Sequence, residues 1–393
     1  MKTWKSIIGI VGMLTFVCSM GCVEKFEADI SHLVTEGLVV EGDIVSDSTV
    51  IFQLSKMMPL TLTDEDSFDN YLDVSAELAV KGSDGSFIPG YCLGQGKYCV
   101  EIGTLHPEVE YFLEILYNGD TYQSTPQKPL PVIGIEEMNF YQPDLRGPVT
   151  VCLNTEEFNS DKSQYFLWYF EEDWEVRAKF QTTTLYDPIA DCNIDYAYPP
   201  VAQGWCYHAT DQILLGTTES IVGNQLIGKT IQTIQPTDHR LSVLYSIRVQ
   251  QRNLTRMEYE YYQVRVKLSG EMGGLFTPQP SELPTNITCS NPTCKVIGYV
   301  GCNMGVSHYQ LYIPEDEVFF IDNYNCEMGK APGGSSLLKY MEGFQICEKT
   351  PMGVEWAKIG CVDVRTKLAN PKGRPEWWPN PYLYYREELD FDE

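Results

Sequence analysis

The stretch Glu110–Ser124, EYFLEILYNGDTYQS, carries the strongest indication of the fold. Two strand-like runs, Glu110–Tyr117 and Asp120–Ser124, are separated by the dipeptide Asn118-Gly119. Asparagine and glycine tolerate the positive φ angles that both central positions of a type I′ turn require. The stretch therefore predicts a β-hairpin, and it indicates that the surrounding chain is built from strands.

Further strand patterns precede this hairpin. Leu38–Val45 and Thr49–Leu54 are apolar-rich runs separated by the turn residues Ser46-Asp47-Ser48, and Val74–Val80 is a third run. Strands at this spacing, without a long helical pattern, are typical of a β-sandwich. Residues 30–124 are therefore predicted to form an N-terminal domain of immunoglobulin-like or transthyretin-like type.

A second domain is predicted after a proline-rich linker. Thr125–Pro131, TPQKPLP, should be stiff and extended, because proline fixes φ and cannot donate to a sheet. Residues 132–385 then form a larger β-rich domain. Its predicted strands are Val149–Leu153, Gln164–Trp174, Leu241–Val249, Lys295–Val300 and Tyr309–Ile313. The odd-numbered residues of 241–249 are all apolar, so they should face a core.

One short amphipathic helix is predicted in the second domain. Thr255 and Glu258 form a capping-box pattern. An apolar stripe at helical spacing, more typical of a core than of a cofactor site, consists of Met257, Tyr261, Val264 and Leu268. Gly270 and the glycines that follow it should end the helix. The fold class is thus mainly β, with two β-sandwich-like domains and a single helix.

The N-terminus has the pattern of a bacterial lipoprotein signal peptide, residues 1–21. A lysine-bearing start is followed by the uncharged run Ser6–Val17 and by Ser19-Met20-Gly21 before Cys22. The run is shorter than the ~20 apolar residues that a membrane span needs, and small residues before a cleavage point are typical of export. Acylation of Cys22 would anchor the chain in a lipid bilayer through the tether 22–29. An ordinary cleaved signal, with Cys22 incidental, is the alternative.

The charge balance restricts the partners. The chain carries 54 acidic and 28 basic residues, a net charge of −26. Because phosphate binding needs a cluster of lysines and arginines, this balance argues against nucleic acid. The C-terminal tail, residues 386–393, is also acidic.

The 13 cysteines indicate disulfides rather than zinc in an exported protein. Spacing favours three local pairs, which are Cys92 with Cys99, Cys192 with Cys206, and Cys289 with Cys294. Two of the three C-terminal cysteines Cys326, Cys347 and Cys361 should also pair. The odd number left after Cys18 and Cys22 requires a free thiol, for which Cys152 and Cys302 are the candidates.

Two aromatic segments are candidates for a binding surface. Gln164–Trp174, QYFLWYFEEDW, contains Trp168, Tyr169 and Trp174. Its acidic run Glu171-Glu172-Asp173 could hold a sugar or a cation, although a solvated strand face is the favoured interpretation. In Pro371–Pro381 the paired Trp377 and Trp378 should either pack on the body as a clasp or remain exposed.

Catalytic motifs are missing from the sequence. It contains no nucleophile elbow, phosphate-binding glycine loop, zinc-protease motif or dinucleotide fingerprint. The five histidines lack a metal-ligand spacing. We therefore expect no enzyme activity, no cofactor and no metal.

The chain resembles a family of Bacteroidota lipoproteins of unknown function that are often encoded beside TonB-dependent receptors. The segments that carry the resemblance are Leu38–Gly42, Tyr165–Glu175, Ile213–Asn224, Leu244–Gln251, the helix ending in Gly273–Pro280, Lys295–Val300 and the terminal proline-tryptophan segment. Family members commonly have Cys-x-x-Cys before that last segment, whereas this chain has Cys361-Val-Asp-Val364. The resemblance implies a lipid anchor, an outer-membrane location and a partner receptor, and it implies no catalytic residues.

Two functions from different classes follow. The first is a non-enzymatic outer-membrane or surface lipoprotein that serves as a binding or accessory module for a TonB-dependent receptor in uptake. The alternative is a cell-surface hydrolase of glycans or peptides that uses two carboxylates. Catalytic carboxylate pairs need separations of ~5 to 9.5 Å, which a sequence does not reveal. The ligand and the side of the membrane stay open.

Overall fold

The computed structural model describes residues 37–57, 72, 74–159, 162–221, 223–270, 283–323, 326–329, 331–366 and 370–378. It confirms a mainly β fold with several sheets. The predicted signal peptide 1–21, Cys22, the tether 22–29 and the acidic tail 386–393 lie outside the described residues. Within the described part, no helix is both long and apolar enough to span a membrane.

The first eight strands belong to the N-terminal domain. They are β1 (Gly37–Glu41), β2 (Ile44–Val45), β3 (Ser48–Lys56), β4 (Glu77–Gly82), β5 (Phe87–Gly94), β6 (Lys97–Ile102), β7 (Tyr111–Tyr117) and β8 (Asp120–Ser124). The predicted hairpin is confirmed, because Tyr117 pairs with Asp120. Asn118 and Gly119 both have positive φ, at 51° and 84°, as a type I′ turn requires. Alternate strand residues such as Phe52, Leu54 and Val100 form its core.

Nine more strands and one helix follow. They are β9 (Ile135–Tyr141), β10 (Val149–Thr155), β11 (Tyr165–Arg177), β12 (Thr184–Asp187), β13 (Cys192–Asp195), β14 (Gln203–Ala209), β15 (Leu214–Thr217), β16 (Lys229–Ile234), β17 (Leu244–Leu254) and helix α1 (Arg256–Gly270). The last part of the chain contributes β18 (Ile287–Cys289), β19 (Lys295–Gly298), β20 (Cys302–Asn303), β21 (Ser307–Pro314), helix α2 (Ser336–Met341), β22 (Phe344–Thr350), β23 (Gly353–Lys358) and β24 (Pro371–Lys372).

A six-stranded and a three-stranded sheet enclose the core of the second domain. Strands β21, β17, β11, β14 and β24 lie in that order, β15 also pairs with β11, and the smaller sheet has the order β16, β10, β9. Val149 and Val151 of β10 pack in one cluster with Phe166 and Trp168 of β11. The predicted sandwich-like architecture is therefore present in this domain.

Strand β17 begins later than predicted. It runs over Leu244–Leu254, whereas Leu241 lies in a 3-10 turn, because Asp238 caps that turn by accepting a hydrogen bond from the backbone of Arg240. The predicted core face is nevertheless correct, since the odd-numbered residues from 241 to 249 are all buried.

Helix α1 begins as the capping box predicts, but it buries a different face. Glu258 N donates to Thr255 Oγ1 over 3.2 Å. The predicted stripe is wrong at Met257, whose side chain is 59% exposed. The buried residues are Glu258, Tyr261 and Tyr262, so a charge and two phenols face inward.

Strands from the second half of the chain complete the first domain. In the nine-stranded sheet, β18 adds antiparallel to β8 and β19 adds parallel to β1. Strand β20 pairs in parallel with β2 in a separate two-stranded ladder. The predicted domain 132–385 must therefore be revised, because its residues 287–303 belong to the first domain. The linker is also less independent than predicted, because Gln127 pairs with Tyr111 and Leu130 with Asn303.

Candidate functional site

The alternation of side chains along β11 assigns its aromatic residues to opposite faces of the six-stranded sheet. Trp168 and Trp174 face the core with Phe166 and Phe170. Trp168 is fully buried, and its Nε1 donates to Gln251 Oε1 over 2.7 Å. The prediction that Trp168 and Trp174 form a binding surface is therefore wrong, because their strand positions point inward.

The other face of this sheet is polar and partly open, and we call it the polar face. The register of β11 with β14, β17 and β21 brings side chains from four strands together there. The polar face is defined by Tyr169, Glu171, Asp173, Tyr207, Ser246, Arg248, Gln250, His308, Gln310 and Tyr312. Tyr169 was predicted as a binding residue, and its side chain is 39% exposed.

The carboxylates of the polar face have partners. Glu171 forms an ion pair with Arg248 and accepts a hydrogen bond from the Tyr207 hydroxyl over 3.2 Å. Asp173 lies 3.5 Å from Lys372 Nζ. Burial raises the pKa of Asp173, and the nearby Lys372 opposes that shift. Lys372 also lies 4.3 Å from the centre of the Tyr207 ring, which is a cation–π contact.

The tryptophan pair borders one end of the polar face. Trp378 is buried, and its Nε1 donates to Glu175 Oε2 over 3.1 Å. Trp377 is 36% exposed, and its ring centre lies 6.2 Å from that of Tyr312. The predicted packing of an indole ring onto the body of the protein is therefore found for Trp378. Trp377 remains partly exposed and adds a further ring beside the polar face.

A small pocket of about 260 Å³ lies at the other end, where the two domains meet. Its walls are the phenol rings of Tyr169, Tyr261, Tyr262 and Tyr299, and its remaining lining is Val40, Glu41, Gly42, Asp43 and Arg265. The Arg265 guanidinium lies 5.8 Å from the Tyr261 ring centre, and its Nη2 lies 3.3 Å from Glu41 Oε1. Because β1 and the β1–β2 connection supply one wall, the pocket exists only when both domains are in contact.

Behind this pocket a buried arginine joins the domains. Arg252 Nη1 lies 2.7 Å from Asp43 Oδ1 in the first domain, and its Nη2 lies 2.9 Å from Glu258 Oε1 in helix α1. Burial raises the pKa of Glu258 to about 7, although Arg252 lowers it. A Cβ at Gly301 would lie within 3.0 Å of all three charged groups, which explains why a glycine stands there.

The acidic run of β11 is not the solvated strand face that the sequence favoured. Glu172 points into the sandwich and is fully buried. Its Oε1 accepts hydrogen bonds from Tyr245 and Arg240 over 2.5 and 2.7 Å, and its Oε2 lies 2.8 Å from His208 Nδ1. Gln232 of the opposite sheet donates to the same carboxylate over 3.2 Å. Glu172 therefore links the six-stranded sheet to the three-stranded sheet through its hydrogen bonds.

Among the described cysteines, Cys326 and Cys361 form a disulfide, and Cys347 is a buried free thiol. The structure therefore selects two of the three C-terminal candidates. These two residues bring the segment before α2 against the cluster that contains Val362 and Ala357.

The three local pairs that spacing favoured are not formed. Cys92 lies opposite Tyr98 and Cys99 opposite Tyr91, so the two thiols point to opposite faces of the ladder. Cys192 is exposed on β13, whereas Cys206 is buried in β14 of another sheet. Cys289 and Cys294 are also free, as are the two predicted free thiols, Cys152 and Cys302.

Sequence reasoning missed the residues at the domain junction. Asp43 is not part of any motif, and Arg252 lies one position after the segment Leu244–Gln251 that carries the family resemblance. Glu258 was predicted only as a helix cap. The available signal was an arginine six positions before a capping glutamate, but nothing in the sequence connected either residue with Asp43.

The chain belongs to the family described as DUF4249, a domain of unknown function, which it matches over residues 23–304. This range contains the whole tyrosine pocket and most of the polar face, but not its residues His308, Gln310 and Tyr312, nor the neighbouring Lys372 and Trp377. No curated protein matches the chain.

Two solved structures show distant likenesses to this chain. A DUF4785 family protein from Legionella pneumophila is 10% identical, with 55% of this chain and 52% of that chain covered and a TM-score of 0.18. The adhesin InvE from Yersinia pseudotuberculosis is 16% identical, with 56% and 57% covered and a TM-score of 0.16. This chain thus spans little more than half the length of either protein. We draw no conclusion about fold or function from TM-scores this low.

Proposed function

We propose that this protein is a lipid-anchored binding module of the outer membrane that works with a TonB-dependent receptor in uptake. Cys22, acylated after signal cleavage, would hold it on the bilayer. The polar face would contact the receptor. The observation that carries the binding role is the composition of this face, an open sheet surface that combines exposed phenol and indole rings with an arginine.

The composition of the polar face favours a protein partner. Tyrosine, tryptophan and arginine are the residue types enriched in protein interfaces and in their energetically important positions. Tyr169, Tyr312 and Trp377 offer ring area together with a polar group, and Arg248 lies between them on β17. Such amphipathic side chains can remain in water in the free protein and still bury large areas in a complex.

The hydrolase alternative needs an acid and a base that face each other across a substrate. On the polar face, Glu171 is paired with Arg248 and Asp173 with Lys372. Glu172 points to the core and is held by four side chains. Carboxylates engaged in this way are positioned for structure, so the binding module is the function that we propose.

Membrane fractionation tests the anchor. The wild-type chain should enter the outer-membrane fraction, and C22S should move to the soluble fraction because it lacks the acylated thiol. If wild type and C22S fractionate alike, the anchor is refuted. A cytoplasmic location of the wild type would refute the whole proposal.

Co-purification with a co-expressed TonB-dependent receptor tests the polar face. The variant Y169A/R248A/Y312A should recover less receptor than the wild type. Y141A is a matched control, because Tyr141 is 57% exposed on β9 of the other sheet. Equal loss in both variants, or no loss in the triple variant, would reject the assignment of the interface.

A further inference from the structure

Two thiols and a carboxylate meet at the edge of the first domain. Asp120 begins β8 directly after the Asn118-Gly119 turn, and Cys289 ends β18, which pairs with β8. Cys294 lies in the turn between β18 and β19. The three residues are therefore brought together by the segment that returns from the second half of the chain to the first domain.

The ligand atoms of these residues are close together. Both sulfur atoms and a carboxylate oxygen of Asp120 lie within 4.8 Å of one another. The Cys294 thiol donates to Asp120 Oδ2 over 3.6 Å, and the side-chain amide of Asn291 donates to the same oxygen over 3.4 Å. All three ligand residues are half-buried.

Polar groups contact both sulfur atoms. The backbone N–H of Asn291 donates to Cys289 Sγ over 3.4 Å. The Tyr122 hydroxyl also interacts with both sulfur atoms.

We propose that Asp120, Cys289 and Cys294 form a structural site for Zn²⁺ that fastens β18 to the edge of the first domain. Zinc in proteins takes thiolate ligands at about 2.3 Å and carboxylate oxygens at about 2.0–2.2 Å, usually in a tetrahedron. Two thiolates and one carboxylate supply three positions, and water or the Tyr122 hydroxyl supplies the fourth. Metal binding releases the two thiol protons to solvent. This proposal is independent of the proposed function.

Cobalt substitution tests the site in the full chain, purified without reductant. Addition of Co²⁺ to metal-free protein should produce a thiolate-to-cobalt charge-transfer band that saturates at one ion per chain and disappears when Zn²⁺ is added. The variants C289S and C294S should lose the band. D120N should weaken metal binding while the thiols remain. C192S is the matched control, because Cys192 is an exposed free cysteine on another sheet.

A stability measurement separates metal binding from misfolding. Zn²⁺ should raise the unfolding temperature of the wild type and of C192S, and it should not raise that of C289S or C294S. Without zinc, the variants should retain the circular dichroism of the wild type. A Cys289–Cys294 disulfide in peptides digested without reduction would overturn the proposal. A cobalt band that persists in both cysteine variants, or no band in the wild type, would overturn it as well.

Discussion

Replacement of Arg252 by methionine tests whether the buried charges at the domain junction hold the two domains together. Arg252 is buried between Asp43 of the first domain and Glu258 of helix α1, at 2.7 and 2.9 Å. Methionine keeps much of the length and packing of the side chain but removes its charge. The two carboxylates then lose the cation that compensates them. Glu258 is almost completely buried, so water cannot replace Arg252.

The expected loss depends on pH. Removal of one partner from a buried ion pair typically costs about 3–5 kcal/mol of unfolding free energy, and R252M should show this loss at pH 8. Without Arg252 the pKa of Glu258 should rise above its wild-type value of about 7. At pH 5 the carboxyl is therefore protonated in both proteins, and the loss should be smaller than at pH 8 by up to about 1.4 kcal/mol, which corresponds to the one pKa unit between the wild-type value and pH 8.

Equilibrium urea unfolding at pH 5 and pH 8, followed by tryptophan fluorescence, measures this difference. R248M is the matched control, because Arg248 lies on the same face of β17 and its ion pair with Glu171 is partly exposed. An exposed pair contributes about 0–1 kcal/mol. The reasoning is refuted if R252M loses no more stability than R248M, or if its loss is the same at both pH values.

Three further predictions concern stability. Because burial raises the pKa of Glu258 from 4.5 to about 7, the unfolding free energy of the wild type should fall as pH rises through this range. Glu258 should contribute up to about 3 kcal/mol to this fall, and E258Q should flatten it in a urea series from pH 4.5 to 8. G301A should lower stability by about 1–3 kcal/mol, since the new Cβ would lie 2.7 Å from Glu258 Oε1 and 2.8 Å from Arg252 Nη1; calorimetry would detect this, and an unchanged melting temperature would contradict it. C326S removes the disulfide to Cys361, which spans 35 residues. It should cost about 3–4 kcal/mol in urea unfolding, and a loss below about 1 kcal/mol would contradict the constraint.

The parts of the fold that the sequence predicts are local. The type I′ hairpin depends on two adjacent residues, and both have the required positive φ. The start of helix α1 depends on Thr255 and Glu258, three positions apart, and their capping contact is present. The core face of β17 follows from alternation within one strand. Each of these features is decided by residues that neighbour one another in the chain.

The sheet completed by β18 and β19 could not be predicted in the same way. Ile287 pairs with Ser124, and Lys295 pairs with Gly37. The strand pattern predicted at Lys295–Val300 indicates that a strand can form there, but it does not show which sheet edge accepts it, and no pattern predicted β18. The same limit applies to the contact of Asp43 with Arg252, because pairing across more than two hundred residues leaves no local pattern.

The polar face shows why composition alone was a poor guide to the candidate site. Gln164–Trp174 is rich in aromatic residues, but buried side chains occur on both faces of β11. A strand buried on both sides does not alternate clearly between apolar and polar residues, so its phase could not be determined from the sequence. The phase of the alternation decides which residues of β11 point into the core and which point outward, because a shift by one residue exchanges the two faces. In the observed phase Trp168 completes the core and Tyr169 faces outward. The exposed tyrosine, rather than the larger tryptophans beside it, is therefore the residue on which the proposed interface depends.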